Sequence, residues 1–276
     1  MAAESDLSLE LFKKFADIIH REASITLREH KLVLLSNRLR RRLRATGQTT
    51  FEEYLNYLQT HASEMRYFLE VITTNESYFW RTTANFDLLK KEILPTLLEQ
   101  FPGAELKFWS AGCSTGEEPY NLAMELTEAM KTCGYFKYSI LATDISASVI
   151  EFAKEGQYTG RKIEKIPPVL LYRYFRPVVD KPDHFEVRPD IKSKINFRVG
   201  NLFTEQNREI HMIFCRNVMI YFGKPEQEII IRRFYDSLVR GGWLIIGYSE
   251  SLHMIETEFK GVHFPDGVAY KKNGAT

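Results

Sequence analysis

The stretch ELKFWSAGCSTGEEPYNLAMEL, residues 105–126, joins a short apolar run to a helical pattern through a turn that contains Gly112 and Gly116. An apolar run of that length followed by a glycine turn and a helix is the opening of a βαβ unit. The same alternation continues downstream. Further apolar runs are YSILATD (138–144), INFRVGN (195–201), HMIFCRN (211–217) and WLIIGYS (243–249), each separated by a helical pattern, which predicts a parallel sheet. The closing pair, FKGVHF and GVAYKK, is joined through Pro265, Asp266 and Gly267 and predicts an antiparallel hairpin at the edge of that sheet. About 50 residues separate the second and third strands, more than one crossover helix needs. Within them, residues 157–195 carry Pro167, Pro168, Pro177, Pro182 and Pro189 and the alternating HFEVR, which predicts a small inserted antiparallel subdomain.

Upstream, residues 1 to about 75 read as helix throughout, with Leu32, Leu35, Leu39 and Leu43 recurring at helical spacing and Thr50 and Ser63 available as N-caps. The division predicted is an all-helical domain over residues 1–80, a linker helix over 81–104 and an α/β domain over 105–276. A chain of 276 residues has length enough for two such domains, and 44% hydrophobic against 26% charged residues excludes global disorder. No segment approaches the roughly 20 apolar residues that span a bilayer, and the N-terminus MAAESDLSLELFKKF has no apolar signal region, so a cytoplasmic protein without membrane insertion is expected. Cys113, Cys133 and Cys215 are odd in number and lack CxxC spacing, so reduced thiols are expected and no metal site.

The glycine turn bears on the ligand. A dinucleotide site prefers GxGxxG and an uncluttered helix N-terminus. Here AGCSTG runs straight into Glu117 and Glu118, which would repel phosphate but suit a ligand with a cationic amino group and hydroxyls, as S-adenosylmethionine has. Acids also favour any first helical turn through the helix dipole. Asp144, at the end of the second strand, can accept both ribose hydroxyls; it could equally cap the next helix, although Ser146 would cap as well. Asn201 and Leu202 offer an amide for an adenine edge and an apolar face, or a plain turn. Arg216 and Asn217 lie where open α/β sheets bind ligands, or form a buried structural pair. TTNESYFWRT (73–82) reads either as a lid over the ligand or as interdomain packing.

Taken together, TTNESYFWR, SAGCSTGEEPY, ATDIS, GNLF, FCRNVMIYF and GGWLIIGYSES closely resemble the chemotaxis receptor methyltransferases of the CheR type. The resemblance implies a Rossmann-like class I methyltransferase domain with a small inserted β-subdomain, preceded by an all-helical domain. It implies an S-adenosylmethionine-dependent protein-glutamate O-methyltransferase, which esterifies glutamates on the cytoplasmic helical domain of methyl-accepting chemoreceptors, serves adaptation in bacterial chemotaxis and releases S-adenosylhomocysteine. It also implies cofactor contacts from Asn75, Ser77, Arg81, Glu118, Asp144, Asn201, Leu202, Arg216 and Asn217, and places Arg81 and Tyr221 at the reacting centre. Ser77 stands where the family often has Thr, and Cys113 where a small residue is common. Members that bind a C-terminal receptor peptide have glycines in a loop of the inserted subdomain; RYFRPVVDKPDHFEVRPD has none, so that tether is not carried over to this chain.

Methylating a carboxylate needs no general base, because glutamate is ionised at pH 7. Catalysis then rests on holding the oxygen in line, about 3 Å from the methyl carbon, with water removed. Arg81 would position the carboxylate by charge-assisted hydrogen bonds, and Tyr221 would orient it or the sulfonium. A tighter arginine clamp would stabilise the ground state and slow transfer. Two rival readings were weighed. An adenine-directed nucleic-acid methyltransferase would carry an Asn/Asp-Pro-Pro-aromatic turn where this chain has RNVMIY. A catalytically silent, cofactor-binding adaptor would not need Arg81, Asp144 and Tyr221. The run KLVLLSNRLRRRLR (31–44) has one Lys, five Arg and no acid. With the leucines facing the core, Arg38, Arg41 and Arg42 are expected to face solvent and steer an acidic receptor surface, with an ordinary solvated helix or a nucleic-acid patch as the alternatives.

Overall fold

The computed structural model describes residues 6–72 and 76–273. It divides into two compact units, one formed by the N-terminal residues to Asn75 with Tyr221–Glu226, the other by Glu76–Ile220 with Gln227–Thr276.

The first unit is helical: α1 (Leu9–Ala23), α2 (Leu32–Thr46), α3 (Phe51–Thr60) and α4 (Glu64–Ile72). Local signals set its boundaries. Ser8 accepts from the Leu11 N–H at the start of α1, Thr50 and Glu53 form a reciprocal capping box on α3, and Gly47 ends α2 at φ 73°. Leu11, Phe12, Phe15, Ile18 and Ile19 are buried along one face of α1. Phe15, Tyr54 and Phe68 meet with ring centroids 5.9 to 6.4 Å apart. Burying each of the two phenylalanines stabilises the unit by roughly 1.5–3 kcal/mol.

On α2, Leu35, Leu39 and Leu43 are buried as expected, Leu32 at the start of the helix is only partly buried, and Arg41 is exposed. The expectation that Arg38 and Arg42 also face solvent is corrected. Arg42 forks onto the buried Glu64 carboxylate at 2.8 and 2.9 Å, an oxygen of which also accepts from Tyr54 Oη at 2.8 Å. Arg38 is half-buried and donates to the Ile72 carbonyl. Both are drawn inward because α4 presents a buried carboxylate and a helix-end carbonyl that need cationic donors.

The second unit holds β1 (Leu106–Ala111), β2 (Tyr138–Asp144), β3 (Gln157–Tyr158), β4 (Phe175–Pro177), β5 (Phe185–Val187), β6 (Ile195–Val199), β7 (Ile210–Cys215), β8 (Leu238–Ile246), β9 (Lys260–Phe264) and β10 (Gly267–Lys271). A seven-stranded sheet runs in the order β6-β2-β1-β7-β8-β10-β9. The pairings among β6, β2, β1, β7 and β8 are parallel, and β10 runs antiparallel to both β8 and β9. Strand β7 is buried along its whole length, which is why it reads as a continuous apolar run. Its helices are α5 (Ala84–Leu88), a π-turn (Leu89–Ile93) leading into α6 (Leu94–Gln100), α7 (Glu117–Cys133), α8 (Ala147–Glu155), α9 (Pro168–Tyr174), α10 (Pro189–Lys192) and α11 (Lys224–Ser237). Pro95, which cannot donate to the helical ladder, stands in the first turn of α6, two residues after the π-turn ends.

The inserted segment forms a three-stranded antiparallel sheet, β3-β5-β4. Two of the prolines there open helices rather than break strands: Pro168 and Pro189 stand in the first turns of α9 and α10, where a missing N–H costs nothing. The loop between β4 and β5 has no glycine, yet Asp180 and Asp183 take left-handed conformations, at φ 62° and 61°. Aspartate is among the few residue types that do so readily. Among the described residues no helix is long and apolar enough to cross a membrane.

Candidate functional site

The sheet order reverses direction at β1, which lies between β2 and β7, so a crevice opens beyond the carboxyl ends of these strands. The glycine turn sits there. Gly112 has φ 81°, and a Cβ on it would come within 2.5 Å of Val218. Gly116 has φ 93°, and a Cβ there would meet Ala153 at 2.7 Å. Glycine is thus required at both positions by backbone conformation and by close packing. The turn is fastened to β2 by the Gly112 and Cys113 N–H groups, which donate to the Thr143 carbonyl at 2.8 and 2.9 Å.

Asp144 closes this arrangement. Its Oδ2 accepts from the Ser114 N–H at 2.9 Å and its Oδ1 from the Ser146 N–H at 3.0 Å, so the carboxylate straddles the glycine turn and the start of α8. Ser146 is the N-cap of α8 but makes no side-chain capping bond. Burial pushes the Asp144 carboxyl above the usual carboxylate range, and the backbone N–H groups of Ser146, Ser114 and Ile145 oppose that rise. An ionised carboxylate has about four acceptor positions. Two are taken here, which leaves capacity for hydroxyl donors.

On the other side of the turn, Glu118 accepts from Ser110 Oγ at 2.7 Å and pairs with Arg216 Nη1 at 3.3 Å. Burial raises the Glu118 carboxyl, with Arg216 the largest opposing influence. Arg216 is 8% exposed, and burial depresses its guanidinium while Glu118 supports its charge. It donates to the Arg81 carbonyl and lies over the Phe86 ring at 5.3 Å. The alternative of an Arg216–Asn217 pair is replaced by this one: Arg216 engages Glu118, and the Asn217 N–H donates to Glu250 at 2.9 Å.

Glu250 is a residue that sequence reasoning missed. It also accepts from the Gly247 N–H at 2.6 Å and the Ile220 N–H at 3.3 Å, and so ties the turn after β8 to the turn after β7. The only sequence signal was an acid in GYSES just past a strand.

The segment before the sheet is strained. Trp80 and Thr82, on either side of Arg81, both have φ 57°, a conformation costing roughly 1–3 kcal/mol per residue. The Trp80 N–H donates to Asn121 Oδ1 at 2.7 Å, and Arg81 Nη1 donates to the Glu76 carbonyl at 2.6 Å. Phe79 is fully buried against Tyr158 and Phe175, so its share of the segment is core packing within this unit, while Ser77 and Arg81 keep partial exposure. Asn75 lies outside the described residues.

Two more expected positions lie beyond a strand end. β6 stops at Val199, and Asn201 forms a turn in which its Oδ1 accepts from the Phe203 N–H at 2.9 Å, leaving the amide nitrogen as a donor. Leu202 is nearly buried. Tyr221 follows β7 in a 3-10 turn and groups with the helical unit, where its carbonyl accepts from the Thr26 N–H at 3.2 Å. Cys113 is a free, buried thiol in the glycine turn, and burial raises it well above the ordinary value, so it stays protonated at neutral pH.

Ser114 Oγ and Arg216 Nε are buried without a hydrogen-bond partner, on the two sides of the crevice. Buried polar groups are ordinarily paired, so these two call for a ligand with both donors and acceptors. With Asp144 for vicinal hydroxyls and Glu118 near a cationic group, the donor set fits S-adenosylmethionine.

Comparison with known proteins identifies the family. Residues 75–268 match the family model described as CheR methyltransferase, SAM binding domain, and residues 10–73 match CheR methyltransferase, all-alpha domain. The chain is 35% identical over 277 residues to a chemotaxis protein methyltransferase of Borreliella burgdorferi, covering 97% of this chain and 96% of that protein. It is 34% identical over 277 residues to chemotaxis protein methyltransferase 1 of Pseudomonas aeruginosa, covering 98% of each. Against a chemotaxis protein methyltransferase of Escherichia coli it is 35% identical over 254 residues, covering 90% of this chain and 86% of that protein.

Proposed function

This chain belongs to the CheR methyltransferase family, and we propose that it is a cytoplasmic protein-glutamate O-methyltransferase acting on the helical cytoplasmic domain of chemoreceptors for adaptation in chemotaxis. The observation that carries the proposal is the crevice at the switch point, where Asp144 is bonded into the glycine turn and the Glu118–Arg216 pair stands opposite. When bound, S-adenosylmethionine supplies a methyl group activated by a sulfonium.

The residues of the chain bind and orient. Asp144 accepts hydroxyl donors, Glu118 faces the cationic end, and Asn201 and Leu202 offer an amide donor and an apolar face. Arg81, held between two strained neighbours, orients the incoming carboxylate by charge-assisted hydrogen bonds without removing a proton from it. Tyr221, like Arg81, is assigned to the reacting centre from the resemblance. Ser77, Arg216 and Asn217 complete the set carried by this unit, and Asn75 is assigned from the resemblance alone. Strain concentrated at Trp80 and Thr82 supports a functional role for Arg81, because such conformations cluster at sites where geometry is enforced.

The receptor surface carries acidic methylation sites, and Arg41 on α2 remains exposed to meet it. The distinguishing experiment incubates the protein with methyl-labelled S-adenosylmethionine and receptor-bearing membranes. Transfer of label that is released by mild alkali supports carboxyl esterification. Binding of S-adenosylhomocysteine without any transfer would support a silent adaptor instead.

A further inference from the structure

Lys162 lies at the start of the inserted segment, in the 3-10 turn Gly160–Lys162, yet its ammonium reaches out of that segment. It donates to Thr115 Oγ1 at 2.7 Å, pairs with Glu117 and approaches the Ser77 carbonyl at 3.4 Å. Its own carbonyl accepts from the Phe79 N–H at 3.0 Å. Glu117 is completely buried and also accepts from Thr115 Oγ1. A buried carboxylate requires a cation and further donors, and Lys162 with Thr115 provides them. Next to it, Tyr158 Oη donates to the Thr115 carbonyl at 2.6 Å, and the Tyr158 ring meets the Phe79 edge at 4.9 Å.

Two segments with no covalent proximity therefore converge on one residue, the glycine turn and the Ser77 carbonyl through the Lys162 ammonium and Phe79 through the Lys162 backbone carbonyl. One is the glycine turn, at Thr115 and Glu117; the other is the strained run from Ser77 to Thr82. Simple neutralisation of Glu117 would need only the first of these. The bond from the Phe79 N–H and the approach to the Ser77 carbonyl fix the second run relative to the first.

We infer that Lys162 is a positioning residue for the methyl donor: it holds the glycine turn and the Ser77–Arg81 run in one arrangement, so the inserted subdomain sets cofactor affinity. The inference rests on the proposed reading that both segments contact the donor.

The test compares the full-length parent with Lys162→Met and with the double variant Glu117→Gln, Lys162→Met, which removes the stranded carboxylate. S-adenosylhomocysteine affinity is read by calorimetry, thermal stability by calorimetric scanning, and mobility by hydrogen exchange over residues 76–82 and 112–117. The expected result is an affinity loss of about tenfold or more in Lys162→Met, the range for losing a hydrogen-bonded charge, with faster exchange in both segments. In the double variant thermal stability recovers and the affinity loss persists. Recovery of parental affinity together with stability in the double variant would overturn the inference and reduce Lys162 to a counter-ion, as would parental affinity in Lys162→Met. The parent's own titration reports separately on donor binding, so failure of that reading is distinguishable.

Discussion

Asp144 accepts one backbone N–H from the glycine turn and one from the start of α8, with acceptor positions to spare. Replacing it with alanine is expected to lower S-adenosylhomocysteine affinity by about 1–3 kcal/mol in calorimetry, the penalty for stranding hydrogen-bonded partners of a charged group. Unchanged affinity would reduce Asp144 to a fastener of α8. Because burial raises both Asp144 and Glu118, their charged forms are lost at a higher pH than an exposed carboxylate would require. The sign follows directly. If each group binds the ligand as a carboxylate, as proposed, affinity falls as pH drops through its raised value, and an affinity profile that stayed flat until the ordinary range near 4 would contradict this. Arg81→Ala is expected to lower turnover more than cofactor affinity, since part of its role is toward the incoming carboxylate; loss of binding with normal turnover at saturation would contradict that role. Asp144 was legible as a candidate because a carboxylate at a strand end suits hydroxyl donors, and Glu118 because it follows the glycine turn, whereas Arg81 was marked by the resemblance alone. The left-handed backbone at Trp80 and Thr82 was not legible, since tertiary bonds from Asn121 and Arg216 hold it there. Glu250 was equally hidden: its partners are backbone N–H groups, which leave no trace in a side-chain motif.

Helix α2 illustrates how periodicity gives a face but not a partner. The leucine spacing correctly buried Leu35, Leu39 and Leu43, while Glu64, on a different helix, decided the direction of Arg42. Arg42→Ala would strand a buried carboxylate, and is expected to destabilise the helical unit by roughly 3–5 kcal/mol in chemical denaturation. It is therefore a poor probe of docking. Arg41→Ala is the better one: it should leave stability and cofactor affinity unchanged, raise the apparent KM for receptor, and flatten its salt dependence, since surface charges are screened over about 8 Å at physiological ionic strength. Kinetics identical to the parent at low salt would leave α2 as a solvated face. Beside the inserted segment, Glu128 on α7 receives Lys131 of its own helix and Arg173 and Tyr174 of α9, and these hydrogen bonds override its burial and hold its carboxyl down at about 2. A depressed carboxyl stabilises the fold above its unfolded value of 4.5 and loses that contribution as pH falls toward 2. Glu128→Gln should thus lower Tm at pH 7, with the difference from the parent shrinking below pH 4.5. The prolines of this segment pointed correctly to the inserted antiparallel subdomain, and within it Pro168 and Pro189 start helices.

At the scale of the whole molecule, the chain forms a helical unit and an α/β unit that holds the glycine turn. The division is not strictly sequential, because Tyr221–Glu226 leaves the α/β unit to group with the helices. That return was not legible, since it depends on contacts such as Thr26 to Tyr221 between residues nearly two hundred positions apart. The alternation of strand and helix and the glycine turn were legible, because parallel strands must be apolar and a tight turn onto a helix must be glycine-rich. Esterification of receptor glutamates is the reaction proposed for this chain. It is tested most directly by incubating the full chain with methyl-labelled S-adenosylmethionine and receptor membranes, then treating the labelled receptor with mild alkali. Label is expected to enter glutamate-containing receptor peptides and to be released as volatile methanol. Label that resists alkali, or no transfer from a protein that binds the cofactor, would contradict it.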